Sequence, residues 1–489
     1  MPIPLWIAVS LPRLALDALR PPWPLESTAC AVMQQDRVLA LTTTAADLGI
    51  QPGLRRGGVT AIAPQVIMLE RDAAAEDDAR QATALALLQY TPEVTLASAD
   101  TILLNVGASL RAFGGPRRLL RRARATVASQ ELLAVLAMAP TAGGAWLLAQ
   151  GQAHRRRVIR LAALARRLDA LPCDLLPQAQ PYQDWLRGIG CPTLRHLRAL
   201  PRAGLQRRCG PELTLALDRA YGQAPQAHAW LAAPPSFRRR HELIERIEHT
   251  DAVLAVTTRL LEPLCGWLAA HQLAVPRLRL ELEHERGRHA RPPTPLDLAL
   301  AEPAWQAAHL QALLRERLGR LTLEAPVIAV VLDAPDTVAR PGANTTLFPD
   351  PSQQAGDQAR LLDLLAARLG RERVRVPCPA ADHRPEAANR WRQAHDAASS
   401  AKPGAALALD RPYWLLEPPQ ALRVRDQRPV HGSPLTLVRG PERIESGWWD
   451  EGLALRDYFV AEDAEGARYW IYRERDEQDG RWFLHGLFG

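Results

Sequence analysis

The segment YTPEVTLASADTILLNVG, residues 90–107, sets one carboxylate, Asp100, in a run that otherwise alternates apolar and small side chains. Read as one buried strand, it puts Leu96, Ser98, Asp100, Ile102 and Leu104 on one face and Ala97, Ala99, Thr101, Leu103 and Asn105 on the other. An ionised group in such a strand is costly unless it is paired, hydrogen-bonded or holding a metal. Asp100 is then either an acid near a strand end that reaches water or a backbone amide, or one ligand of a metal site. The second reading requires further ligands from elsewhere in the chain.

Three other stretches carry residue types suited to binding. In YQDWLRGIGCPTLRHLRALPRAGLQRRCG, residues 182–210, two short helices joined by GIGCPT form a helix-hairpin-helix pattern. Gly188 and Gly190 allow the tight turn, Thr193 opens the second helix, and Arg195, Arg207 and Arg208 supply cations for a phosphate. A plain helical hairpin is the competing reading. The Pro/Gly/Asn/Asp-rich run 335–357 holds Leu347 and Phe348, which either tether the loop to its own domain or engage a partner. In ESGWWD, Trp448 and Trp449 are consecutive, so in a strand they point to opposite faces and one is left outward, either as a docking residue or as a cap of the sheet against the body of the protein.

These stretches need elements to hold them. A chain of 489 residues exceeds one ordinary domain, and its 47% hydrophobic and 23% charged content is globular. The net charge is +7 with a pI near 9.4, and Lys402 is the only lysine. Arginines cluster at RRLLRRARA (117–125), HRRRVIR (154–160) and FRRRH (237–241), which favours a polyanionic partner over plain solvated faces. Six cysteines lie far apart with no CxxC pair, so no zinc site, disulfide framework or cofactor is indicated. With no uninterrupted apolar run of membrane length and no basic leader, a cytoplasmic location is expected.

Periodicity divides the chain into an α+β region at 1–170, a helical region at 171–236 and a second α+β domain at 237–335. A linker with a helical segment occupies 336–407. The tail, 408–489, holds 12 of the chain's 26 aromatic residues in alternating runs broken by Gly turns, which indicates an antiparallel sheet.

The order of strand, GIQPG loop, acid-bearing strand, helix-hairpin-helix and small α+β domain resembles the Y-family translesion DNA polymerases over roughly residues 4–335. The resemblance implies a right hand: palm and fingers in 1–170, thumb in 171–236, little finger in 237–335, followed by a β-rich C-terminal domain. In that family two palm strands carry the carboxylates that hold a pair of divalent ions. The first strand reads DxDxFFAxVE in the family and AVSLPRLALD here, with Ala8 and Ser10 where both aspartates stand. The second reads SxDExxLD in the family and SADTILLN here, with Asp100 kept and Thr101 in place of the glutamate. The triphosphate-contacting YEAR segment becomes TTAADLGI, with Thr43 and Ala46 at its Tyr and Arg. The GIAxNKxLAK motif becomes AMAPTAGGAWLLA, without a lysine.

With its tail words GPERIESGWWD, RDYFVA and WFLHGLFG, the chain resembles the degenerate Y-family branch of bacterial mutagenic repair cassettes. That resemblance implies a noncatalytic adaptor in SOS-linked DNA repair, holding no metal at the relic Asp100. Its expected partners are DNA without sequence preference, the sliding clamp, an error-prone replicative-type polymerase and a RecA-like accessory protein. It also gives NTTLF, Asn344 to Phe348, the look of a QxxLF clamp ligand, with Asn344, Leu347 and Phe348 as the contacts. An active, atypical Y-family polymerase is the alternative.

Overall fold

The computed structural model describes residues 4–19, 28–151, 156–285, 291–340, 351–393, 411–412, 414–450, 452–475 and 480–488. The chain divides into two compact units, Met1–Leu364 and Leu365–Gly489.

The first unit opens with β1 (Trp6–Ser10) and α1 (Leu14–Asp17), then β2 (Cys30–Gln34) and β3 (Arg37–Leu41), joined at Gln35 and Asp36, both at positive φ. After α2 (Thr43–Asp47) and α3 (Arg56–Ile62), β4 (Ile67–Glu70) completes a small sheet of order β3-β2-β4. Next come α4 (Ala73–Leu87), β5 (Val94–Ser98), β6 (Thr101–Asn105), α5 (Pro116–Ala128), β7 (Val135–Ala139) and α6 (Ala142–Gln150). Strands β5-β6-β1-β7 form a four-stranded sheet in which every neighbouring pair is antiparallel. All five residues of β1 are buried.

Residues 90–107 are therefore not one strand. They form a hairpin, β5 and β6, with Ala99 and Asp100 at the turn and Ser98 paired to Thr101. A tight turn preserves period-two alternation on either side, so the pattern does not separate one long strand from two short ones.

The helical region comprises α7 (Leu161–Leu168), α8 (Gln183–Gly188), α9 (Leu194–Ala199), α10 (Arg202–Cys209) and α11 (Pro211–Tyr221). Its apolar positions, Leu164, Leu186, Leu197, Leu205 and Leu213 among them, join Ala8, Leu103 and Leu147 in one continuous core. The helices are thus packed onto the β1 sheet rather than strung beside it.

A strand-helix-strand-strand-helix-strand unit follows: β8 (Arg238–Ile247), α12 (Thr250–His271), β9 (Leu273–His284), β10 (Thr294–Ala304), α13 (Ala307–Leu318) and β11 (Val327–Ala339). Its antiparallel sheet has the order β10-β9-β11-β8. HELIERI is the end of β8, paired to β11, and the helix starts only after it. Helix α12 is long and apolar enough to cross a membrane by length and composition, yet its apolar side is buried in the core, Trp267 and Leu268 included. It also lies against α4 so closely that a Cβ on Gly266 would stand 1.9 Å from the Leu85 carbonyl oxygen. No side chain fits there.

In the second unit, α14 (Pro351–Leu369), which begins in the first, leads to the hairpin β12 (Arg375–Pro379) and β13 (Asn389–Gln393). Then come β14 (Trp414–Arg425), β15 (Arg428–His431), β16 (Ser433–Pro434), β17 (Thr436–Ser446), β18 (Ala454–Glu462), β19 (Arg468–Glu474) and β20 (Trp482–Leu487). They form one sheet of order β16-β15-β14-β20-β19-β18-β17. The unit begins ahead of the compositional boundary at 408 because the β12–β13 hairpin connection is tied to the tail by side chains. Arg384 bonds Asp450, and Glu386 pairs with Arg456.

One face of this sheet buries Tyr458, Trp470 and Tyr472 with Ile444, and His485 lies among the three rings. His485 Nδ1 is 2.7 Å from the Tyr458 hydroxyl, and burial pushes its pKa down to about 4. The unfolded imidazole titrates near 6.5, so between those values the unfolded chain binds the extra proton. Stability from a neutral His485 is complete above about pH 6.5 and is lost as pH falls toward 4, by on the order of 3 kcal/mol. Protection of the β18–β20 amides against hydrogen exchange, corrected for intrinsic rates, is expected to fall over that window. His485→Asn is expected to flatten the dependence.

Candidate nucleic-acid interface and the degenerate acid site

Strand β1 is central, and its register decides what can stand beside Asp100. Ser10 pairs with Thr101 on one side and Val135 on the other, and Ala8 pairs with Leu103 and Ala137. Ala8 is fully buried and belongs to the apolar core, and Ser10 is buried as well. The sheet thus brings all four sequence-predicted positions, Ala8, Ser10, Asp100 and Thr101, to one region, but only Asp100 carries a charge.

The Asp100 carboxylate is already surrounded by neutral donors. Ser98 Oγ donates to its Oδ1 at 2.8 Å and Thr101 Oγ1 at 2.9 Å. From α6, Gln150 Nε2 reaches Oδ2 at 3.3 Å and Thr101 Oγ1 at 3.0 Å, while Trp146 Nε1 donates to Ser98 Oγ at 3.4 Å. Trp146 and Gln150, four residues apart, project from the same side of α6 toward the hairpin turn. They were missed in the sequence reading. The available signal was that i, i+4 pair, Trp146 inside the stretch already seen to lack its lysine and Gln150 immediately after it.

Two divalent ions need several anionic oxygens arranged around them. One carboxylate with three neutral donors does not fit that pair. Among the described residues, no group of three or more His, Cys, Asp or Glu is placed to hold a metal ion. Asp17, another acid of the region, is turned inward: its Oδ2 accepts from the Leu133 amide at 2.9 Å, and burial raises its pKa.

The basic clusters separate into paired and unpaired. FRRRH is neutralised: Arg238 pairs with Glu281 and Asp333, Arg239 with Asp78, and Arg240 with Glu283 and Glu242. The expectation of a polyanion-facing patch therefore fails there, because β8 lies beside β11, which carries Asp333, and within reach of Glu281 and Glu283 on β9, the next strand. On α5 the opposite holds. Arg117, Arg118, Arg121 and Arg122 are exposed with no ion pair among the described residues, while Leu119, Ala123 and Val127 bury the other side.

The helix-hairpin-helix pattern is present as α8 and α9, with Gly188 ending α8 and Gly190 at φ +70° in the turn. Thr193 precedes α9, but its hydroxyl contacts His196 Nδ1 at 2.7 Å rather than a backbone amide. Arg195 and Arg207 are exposed, and the Arg208 guanidinium lies 5.4 Å from the Trp185 ring centre. Asn344, Leu347 and Phe348 lie outside the described residues.

Trp448 and Trp449 do not sit in a strand. They follow β17 in a turn that starts at Gly447, and both are outward, 79% and 55% exposed, packed edge to face at 5.4 Å. Alternation does not apply in a turn, so the expectation of one inward and one outward ring is corrected.

Residues 15–150 match the impB/mucB/samB family. Two curated proteins, each named Protein ImuB and from two strains of Caulobacter vibrioides, are 27% identical to this chain over 472 residues, covering 90% of it and all of each relative. The chain is thus similar to Protein ImuB along that protein's whole length. Solved structures similar to this chain include one described as an insertion ternary complex of Dbh DNA polymerase, at 16% identity and a TM-score of 0.39 over 68% of this chain and 98% of that one. Another, DinB from Sulfolobus solfataricus, is 15% identical with a TM-score of 0.38 over 69% of this chain and all of that one. The fold class is α+β, with a β-rich region at its C-terminal end.

Unpaired and paired arginines predict different salt behaviour. Replacing Arg117 and Arg121 by Ala is expected to weaken DNA binding equally across sequences and to lower the slope of log affinity against log salt by about 2. Arg240→Ala, which removes a paired cation, is expected to leave that slope unchanged. Fluorescence anisotropy over a salt series reads both.

Proposed function

We propose that this chain is a noncatalytic adaptor in error-prone translesion synthesis and damage-induced mutagenesis. In this reading it acts in the cytoplasm as a polymerase-shaped scaffold that binds DNA and the sliding clamp. It recruits an error-prone replicative-type polymerase together with the RecA-like accessory protein ImuA. The observation that carries the reading is the surroundings of Asp100, where hydroxyls and an amide occupy the carboxylate and core residues stand in place of the other acids. Similarity to Protein ImuB along that protein's whole length supports placing the chain in the same cassette.

Binding without chemistry requires only cations and backbone amides at phosphates, which α5 and the α8–α9 turn offer. Trp448, 79% exposed, is suited to anchoring a protein partner, since large aromatic side chains dominate interface energetics. NTTLF would take the clamp as an extended peptide whose Leu347 and Phe348 enter an apolar pocket.

The purified protein is expected to add no nucleotide in primer extension with Mg²⁺ or Mn²⁺. Asp100→Ala is expected to leave damage-induced mutagenesis unchanged and to lower stability by roughly 1.5–3 kcal/mol, since the hydrogen bonds lost run from neutral donors to a carboxylate. Metal-dependent extension abolished by Asp100→Ala would establish an active polymerase instead.

Burial of Leu347 and Phe348 in the clamp is worth roughly 1.5–3 kcal/mol each, so replacing both by Ala is expected to remove detectable clamp binding and leave DNA binding intact. Surface plasmon resonance on immobilised clamp checks this. Undiminished binding places the anchor elsewhere.

A further inference from the structure

Within the second unit, a cleft of about 440 Å³ lies against the β12–β13 hairpin, walled by Cys378 to Asp382, Arg390, Arg392 and the Trp449 ring. That volume falls in the range of sites for small ligands or single ligand groups. Arg390 and Arg392 are two apart on β13, so both project to the cleft side. Trp391 between them faces the other way and is itself 67% exposed. Neither guanidinium has an ion pair among the described residues.

The acids nearby are already committed. Arg384 donates from Nε and Nη2 to Asp382 at 3.1 and 2.7 Å, and from Nη1 and Nη2 to Asp450, both at 2.8 Å. These bonds hold the Asp382 pKa down to about 2, so the clamp stays ionised at neutral pH. Its guanidinium also lies 5.8 Å from the Trp449 ring centre. The turn is fixed from beneath, because a Cβ on Gly447 would stand 2.3 Å from the Gly452 carbonyl oxygen. Trp449 is thus a positioned ring beside two available cations.

We propose that this cleft binds single-stranded nucleic acid, with a base stacked on Trp449 and backbone phosphates on Arg390 and Arg392. Two arginines in step along a strand present charge at a spacing that successive phosphates of an extended chain can meet. An aromatic face beside them takes any unpaired base, which is how sequence-tolerant single-strand sites are built. A duplex keeps its base faces covered and gains only the charge. An acidic peptide would use the arginines but leaves the indole face without a planar partner. The inference concerns the tail alone and does not depend on the adaptor reading.

The test uses the full chain and an oligo(dT) carrying 5-iododeoxyuridine, irradiated and mapped by mass spectrometry. A cross-link at Trp449 is expected, lost in the double variant Arg390→Glu/Arg392→Glu and retained in Trp391→Ala, which alters the opposite face. Trp449→Ala is expected to weaken the tail's share of oligo(dT) binding roughly tenfold, the weight of one stacked base. The Arg117/Arg121 variant, which reports on the first unit, is expected to keep the Trp449 cross-link. Absence of any cross-link to residues 378–392 or Trp449 would overturn the proposal. So would tighter, equally arginine-dependent binding of a labelled oligo-aspartate than of oligo(dT), which would make the cleft a peptide site.

Discussion

Everything around Asp100 follows from β1 being a central strand with no exposed residue. A carboxylate in such a strand is costly unless a cation, a metal ion or hydrogen bonds balance it. Once Ala8 and Ser10 occupy those positions, nothing in the sheet demands an ion, and the space is filled by packing. Ala8 enters the core shared with the helical region. Asp100 escapes the same fate because it lies at a hairpin turn, where hydroxyls and the Gln150 amide can reach it. The sheet keeps its architecture because backbone pairing of β1 with β6 and β7 does not involve the missing charges.

The elements most legible in the sequence were those whose signal is local and periodic. The alternating aromatics of the tail became β18 to β20, and the GIGCPT turn joined two short helices as its glycines implied. Asp100 was recognised as unusual, yet its hairpin was hidden, since Ser98 and Thr101 keep the strand alternation across a two-residue turn. The tryptophan pair was misplaced because a strand rule was applied to a turn. Arg384 with Asp382 and Asp450 left no trace, because Arg384 and Asp450 are separated by 66 positions and only tertiary folding brings them together.

Charge shows the same division. Three arginine clusters look alike as strings, but a cation is available to a ligand only if its neighbours in space lack acids. FRRRH sits on β8, next in the sheet to β11 with Asp333 and near β9 with Glu281 and Glu283. The α5 cluster faces outward from a helix whose other side is apolar. Both are basic as strings, and only the α5 cluster keeps its charge available.

The contact at Gly266 makes the joint between α12 and α4 sensitive to a single atom. With backbone against backbone, a Cβ at that position would have to push α12 off α4, so the spacing between the two helices is fixed by the absence of a side chain.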